Sequence, residues 1–299
     1  MKNNLLISFS GGETSAYMTQ WLLKNKQDEY NMVCVYANTG EETEETLEFV
    51  EKCDKAFNMN LVWVEAVVHS EMGVGTTHKI VDFESASRNG EPFDEIISKF
   101  GIPNQAFPHC TRELKLRPIH SYIKNSLGWK DYWTAIGIRA DEVDRVNDNW
   151  KKNKLYYPLV SDMPMTKPKI NFWWKNQPFR LKLKGYQGNC KTCWKKSFNK
   201  LMTISKENPE YFDTFRNLEK KYGNFIPEGR NLSEDQLPLN FFRGNRSVDD
   251  IFKMAEKPFE LSKDDHTIYN WQMSIFELDG VTPEELDTSN GCDESCEIY

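Results

Sequence analysis

Residues 5–15 read Leu-Leu-Ile-Ser-Phe-Ser-Gly-Gly-Glu-Thr-Ser, and this stretch decides the fold. Leu5–Phe9 is a short apolar run of the kind a buried strand needs, and the helical spacing that begins at Glu13 puts Tyr17, Trp21, Leu22 and Leu23 on one side. Two glycines between a strand and a helix let backbone N–H groups approach an anion closely, and the helix N-terminus adds positive potential. The hydroxyls of Ser10, Thr14 and Ser15 can donate to the same oxygens. The loop lacks the lysine of a Walker motif and the third glycine of a dinucleotide fingerprint.

Outward from the loop the chain alternates. Met32–Ala37 is a β-rich run, Thr43–Phe57 a helix with Leu47, Val50 and Phe57 inward, and Leu61–Val67 a third strand. Strand and helix alternating at this spacing predict a parallel sheet with right-handed crossovers. Residues 68–108 read as a long loop region with a short helix near 93–100. Glu113–Asn125 reads as a helix, Tyr132–Ile138 as a strand, and Arg139–Trp150 as loop or helix. A helix is expected at Lys167–Lys175, helical pattern from Thr192 to Tyr222, and short helical pieces after that. The fold class is therefore α/β: a Rossmann-like parallel sheet with helices on both faces, a cysteine-bearing insertion and a helical C-terminal region. Three parts are expected: a phosphate-binding core at 1–150, an insertion at 151–205, and a helical region with an acidic, cysteine-containing tail at 206–299.

Of the 299 residues, 39% are hydrophobic and 28% charged, enough for a packed core inside a polar surface. No apolar run approaches 18 residues, so no membrane span is expected. Without a signal-peptide pattern the expected compartment is the cytoplasm, where seven cysteines read as metal ligands, redox groups or core residues. Cys34 and Cys53 fall on apolar faces and are expected in the core. The net charge of -7 argues against a general nucleic-acid coat protein. Basic residues nevertheless concentrate between Lys151 and Lys200. There Trp173, Trp174, Phe179, Arg180, Lys182, Lys184, Tyr186, Trp194, Lys195 and Lys196 interleave rings and cations, a mixture suited to stacking bases and following a phosphate backbone, or to a small core around Cys190 and Cys193.

Ser10-Gly11-Gly12-Glu13-Thr14-Ser15 resembles the PP-loop of the adenine nucleotide α-hydrolase superfamily, whose motif is S-G-G-x-(D or T)-S. Three further segments resemble its phosphoadenylyl-sulfate (PAPS) and adenylyl-sulfate reductase branch, and segment 166–198 looks like the PAPS-reductase-like proteins often carried by bacteriophages. Ala37-Asn38-Thr39-Gly40-Glu41 with Glu44, Glu45 and Thr46 is similar to that branch's second-strand D-T-G…P-E-T signature. Cys110-Thr-Arg112-Glu-Leu-Lys115-Leu-Arg117-Pro118 is similar to its C-x-x-R-K-V-x-P-L segment, and Gly137-Ile138-Arg139 with Asp141, Glu142 and Arg145 to its G-I-R-x-x-E-S…R. The resemblance implies that Ser10, Gly11, Gly12, Thr14, Ser15, Thr39, Gly40, Arg112, Arg117, Gly137 and Arg145 bind ATP or a PAPS-type nucleotide. Arg139 and Lys115 would act on the transferring group, since guanidinium forks match such oxyanions. Glu41 and Asp141 are candidates for holding the Mg²⁺ that pyrophosphate release needs.

Cys190-Lys-Thr-Cys193 has metal-knuckle spacing. In adenylyl-sulfate reductases a Cys-Cys pair and a C-x-x-C hold a 4Fe–4S cluster. Here the first of the pair is His109, so the resemblance implies a site of Cys110, Cys190 and Cys193 with His109, a tail cysteine or an external molecule as the fourth ligand. A zinc site of the three cysteines and His109 is equally compatible. Cys292 and Cys296 stand where those reductases have E-C-G-(I or L)-H, and Cys296 is the candidate nucleophile. Of the histidines, His78 lies in the loop over the expected cleft.

Three functions follow. The first is a PP-loop enzyme that uses ATP to activate a substrate for sulfur transfer, with tRNA or DNA as acceptor and a sulfur-donor protein as partner. The second is a sulfonucleotide reductase. The third is a nucleotide-binding module without turnover.

Overall fold

The computed structural model describes residues 2–268 apart from 72, 189, 231, 234 and 235, so Cys292 and Cys296 lie outside the described residues. Elements run in the order β1 (Asn3–Phe9), α1 (Glu13–Asn25), β2 (Tyr30–Ala37), α2 (Glu44–Phe57), β3 (Val62–Val67), β4 (Thr77–Val81) and α3 (Glu91–Phe100). A short α4 (His109–Thr111) leads through a π-helical turn at Arg112–Leu116 into α5 (Arg117–Asn125). There follow β5 (Trp133–Ala135), a 3₁₀ segment at Ala140–Arg145, β6 (Leu155–Tyr156), α6 (Pro158–Ser161), α7 (Lys167–Lys175), α8 (Phe198–Glu207), α9 (Asp213–Tyr222) and α10 (Val248–Glu256).

The six strands lie in the order β4-β3-β2-β1-β5-β6. All neighbours are parallel except β4, which runs antiparallel to β3. Leu5, Leu6 and Ile7 of β1 have no exposed surface, as a central parallel strand covered by helices on both faces requires. From β1 the chain winds outward through β2 and β3, then returns to place β5 on the other side. The direction reverses between β1 and β5, the position where open α/β sheets bind ligands beyond the carboxyl ends of their strands.

Three elements differ from the sequence-based expectation. Thr77–Val81 is an edge strand rather than loop. Its Ile80 is 62% exposed and Lys79 pairs with Glu65, so the run carries no buried apolar period to read. The helical pattern at 192–222 breaks into α8 and α9. Pro209 disfavours helical geometry at Asn208, whose φ of -139° and ψ of 67° lie outside the helix. The strand expected at Tyr132–Ile138 shortens to Trp133–Ala135, and β6 pairs beside it.

Two large apolar cores lie around the sheet. One joins β1, β2, α1 and α2 to α7, with Trp174 and Phe49 at its centre, and also contains Cys34 and Cys53. Burial pushes the Cys34 thiol up to about 12, and Cys53 is raised further by the same cause. The other core joins α3 to the C-terminal helices and contains Cys110, Cys190, Cys193 and Trp194.

Candidate active site

The turn from β1 into α1 is shaped by Gly11, whose φ of 84° lies in the left-handed region. A methyl group there would also press on Tyr36, Thr46 and Val50 at 3.1–3.2 Å. Gly12 takes the N-cap position of α1 in an extended conformation with no side-chain cap. Ser15 knits the turn: its Oγ accepts from Ser10 N at 3.3 Å and Ser10 Oγ at 2.9 Å, and donates to the Gly12 carbonyl at 3.0 Å. The first turn of α1 thus presents main-chain N–H groups in a fixed, glycine-shaped hollow, the arrangement that receives phosphate oxygens.

The exit from β5 forms the opposite wall. A Cβ on Gly137 would lie 3.3 Å from the Ser15 Cα, so this close approach of two backbones leaves little room for a side chain. Arg139 is buried beside the loop and donates to Thr14 Oγ1 at 3.3 Å. Its charge is met by Asp141 at 3.0 Å and Glu142 at 3.3 Å, and Glu142 also pairs with Arg145 at 2.6 Å. Thr14, Gly137, Arg139, Asp141 and Arg145 are therefore brought together with the glycine loop.

Thr39 and Gly40, at the end of β2, are drawn to the cysteine segment. Thr39 Oγ1 donates to Glu42 at 2.8 Å and lies 3.5 Å from Cys190 Sγ. Glu42 and Cys190 form an isolated antiparallel bridge, and Lys191 N donates to the Glu41 carbonyl at 2.8 Å. Gly40, with φ of 78°, packs so tightly that a Cβ would collide with Pro92 at 2.8 Å. The Glu41 side chain has no exposed surface, and burial pushes its pKa up to about 7 although the Lys191 charge and the Thr214 hydroxyl act to lower it.

Cys110, Cys190 and Cys193 line one cavity, together with Thr39, Lys115 and Trp194. Among the described residues no three His, Cys, Asp or Glu side chains stand closely enough to share a metal ion. His109 faces elsewhere: its Nδ1 is 3.0 Å from the Phe107 carbonyl and 3.2 Å from Arg230 Nη2, and its Nε2 is buried without a partner. Burial and then the Arg230 charge lower its pKa to about 4. Lys115 is buried in the cavity wall, whereas Arg112 and Arg117 flank the fully buried Glu113 at 2.7 and 3.1 Å. The two arginines keep 54% and 40% of their side-chain surface exposed. His78, expected over the cleft, instead meets Ser121 on α5.

Three of the rings at 173–196 are turned inward, while Trp173, Phe179 and Arg180 are part-buried and Lys182 and Lys184 are exposed. Trp174, Tyr186 and Trp194 are 1%, 4% and 8% exposed and are core residues, because each ring finds an apolar partner inward. Lys184 pairs with Glu207, and Lys196 is buried against the Gly188 carbonyl. One residue of the loop passed unnoticed in the sequence: Glu13 is fully buried and paired with Arg180, a contact whose 167-residue separation leaves no local signal.

A family model described as the phosphoadenosine phosphosulfate reductase domain matches residues 4–150. The chain is similar to an uncharacterized nin region protein of Escherichia phage lambda, at 31% identity over 298 residues, 98% of this chain and 94% of that protein. It is similar to two uncharacterized proteins of Methanocaldococcus jannaschii. One is 29% identical over 154 residues, covering 52% of this chain and 29% of that protein. The other is 22% identical over 254 residues, covering 81% and 46%. No described helix is long and apolar enough to cross a membrane.

Proposed function

The chain belongs to the phosphoadenosine phosphosulfate reductase domain family, and from that premise we propose that it is a PP-loop enzyme that binds ATP or a related adenine nucleotide at Ser10–Ser15 and activates a substrate for sulfur transfer. The observation that carries the reading is the glycine-turned loop at the β1–β5 reversal, with Gly137 pressed against its first helical turn. Backbone N–H groups and the hydroxyls of Ser10, Thr14 and Ser15 would hold the polyphosphate. Arg139 orients Thr14. Arg112 and Arg117, each partly exposed and sharing one carboxylate, retain cationic charge for a transferring group. Asp141, with 36% of its side chain exposed beside Arg139, is better placed than the sealed Glu41 for a Mg²⁺ ion accompanying the nucleotide.

Cys110, Cys190 and Cys193 line one cavity and would hold an iron–sulfur cluster, in which each thiolate takes a different iron, whereas His109 is turned to Phe107 and Arg230. No step is assigned to a metal there. The three thiols on one cavity remain suited to sulfur chemistry, and the acceptor we propose is tRNA or DNA, with a sulfur-donor protein as partner.

The test is to incubate anaerobically purified protein with ATP and with PAPS, measuring pyrophosphate and sulfite. Pyrophosphate release from ATP that depends on an added tRNA or DNA supports the proposal. Sulfite release from PAPS without pyrophosphate release from ATP overturns it in favour of the reductase reading, which the family model's description supports. In that case Cys296→Ser should abolish sulfite release. Tight nucleotide binding with neither product points to a binding module.

A further inference from the structure

Glu13 poses a physical problem. It is the first residue of α1, its side chain has no exposed surface, and it lies in the loop that would receive phosphates. A carboxylate at a helix N-terminus occupies the same positive potential that a bound anion uses. Left alone, it would compete with and repel a polyphosphate. Arg180 approaches it as a fork, with Nε 2.9 Å from Oε1 and Nη2 2.9 Å from Oε2. This is the bidentate geometry in which a guanidinium most fully offsets a carboxylate.

The same segment also holds the main chain of that residue. Trp174 Nε1 donates to the Glu13 carbonyl at 2.9 Å, so α7 and the chain after it grip Glu13 at two points. Arg180 is braced in turn: its Nη2 reaches the His266 carbonyl at 3.5 Å, while Asn171 on α7 donates to the carbonyls of Asp265 and Ile268 at 2.7 and 2.8 Å. Taking two charges out of water costs more than an apolar pair of the same shape, so stability alone does not explain an ion pair here. Its position does.

We infer that Arg180 is a positioning residue for the phosphate loop, cancelling the charge of Glu13 so that the first turn of α1 can accept a polyphosphate. The inference rests on the nucleotide reading of that loop. It assigns to 167–180 the role of a brace behind the nucleotide rather than a surface for nucleic acid.

The experiment measures ATP, ADP and AMP binding by calorimetry to the full chain and to Arg180→Gln, Arg180→Lys, Glu13→Gln and the Glu13→Gln/Arg180→Gln double variant. Arg180→Gln is expected to weaken ATP binding about 10–100-fold, the scale of an unpaired buried charge. The loss should be graded, ATP more than ADP and ADP more than AMP, because repulsion grows with phosphate charge. The double variant should recover to within about fivefold of the wild type, since the charge to be cancelled has gone. Unchanged ATP affinity in Arg180→Gln overturns the inference, as does a loss that is equal for ATP and AMP and not recovered in the double variant. If Arg180→Gln does not fold, the double variant decides: folded and binding ATP supports the inference, folded without binding overturns it. A wild-type chain that binds none of these nucleotides sinks the loop reading itself, and this inference with it.

Discussion

The glycine loop and the cysteine cavity differ in how the chain assembles them. The loop is local: Ser10 to Ser15 form their own hydrogen bonds, and distant residues add only braces, such as Gly137, Arg139, Trp174 and Arg180. Its buried carboxylate, Glu13, is matched by a cation. The cavity is non-local, with Cys110 from α4, Cys190 and Cys193 from the segment before α8, and Thr39 from the end of β2 meeting inside an apolar core. A site made by neighbours in sequence keeps its shape from backbone geometry. A site made by remote segments takes its shape from packing, which sets its three thiols along one cavity wall.

That contrast is broken most severely at Trp174. The ring is 1% exposed, touches Phe49, Phe57 and Phe179, and bonds to Glu13 through its Nε1. Trp174→Ala is expected to lower stability by about 3–5 kcal/mol, as large-to-small changes in well-packed cores do. Urea unfolding measures this, and native thiol titration should show Cys110, Cys190 and Cys193 no more reactive than before. Increased reactivity at those thiols would show that the two regions are one packing unit. A smaller effect is expected at Gly11. An alanine there must adopt a positive φ and meet Tyr36, Thr46 and Val50, at a cost of about 1–3 kcal/mol. Nucleotide affinity should fall in the same variant, whereas wild-type affinity would argue that the loop's shape is not what binds.

The difference also explains what could be read before the structure. Strand, glycine pair and helix at 5–26 follow from local propensity and period, and so did β2, α2, β3 and α7. Residues 77–81 hid because an edge strand with Lys79 and an outward Ile80 has no buried face to set a period. The interleaved rings and cations of 173–196 carried two meanings in sequence, and only packing separates a core tryptophan from a stacking one. Cys110, Cys190 and Cys193 could be listed as a set from the family motif. Their spacing in space, and the turn of His109 toward Phe107 and Arg230, depend on contacts that no local rule encodes. The Glu13–Arg180 pair lay wholly beyond reach for the same reason.

Glu219 allows the contrast to be sharpened by pH. It belongs to the cysteine side of the molecule, on α9, and its carboxylate accepts from Phe241 N at 3.1 Å and Val248 N at 2.9 Å. Backbone N–H groups meet it where Glu13 meets a guanidinium. Burial pushes its pKa up to about 7, the two backbone bonds lower it, and Asp249 and Asp250 add to the rise. The folded chain therefore holds this proton more tightly than the unfolded chain, whose value is 4.5. The resulting stability is fully present below about 4.5 and is lost as pH rises through about 7. His109 runs the other way: its value falls from 6.5 to about 4, so its contribution is present above 6.5 and lost as pH falls. Because the two oppose each other between those values, the whole-protein profile is not diagnostic, and the difference between wild type and Glu219→Gln is. Relative to wild type, the variant should gain about 2 kcal/mol between pH 5 and pH 8, read from urea midpoints at each pH. A constant offset from the lost acceptor leaves that slope untouched. Parallel profiles for the two proteins would mean that Glu219 is solvated like a surface carboxylate, and that the cysteine side bears no unmatched buried charge at this position.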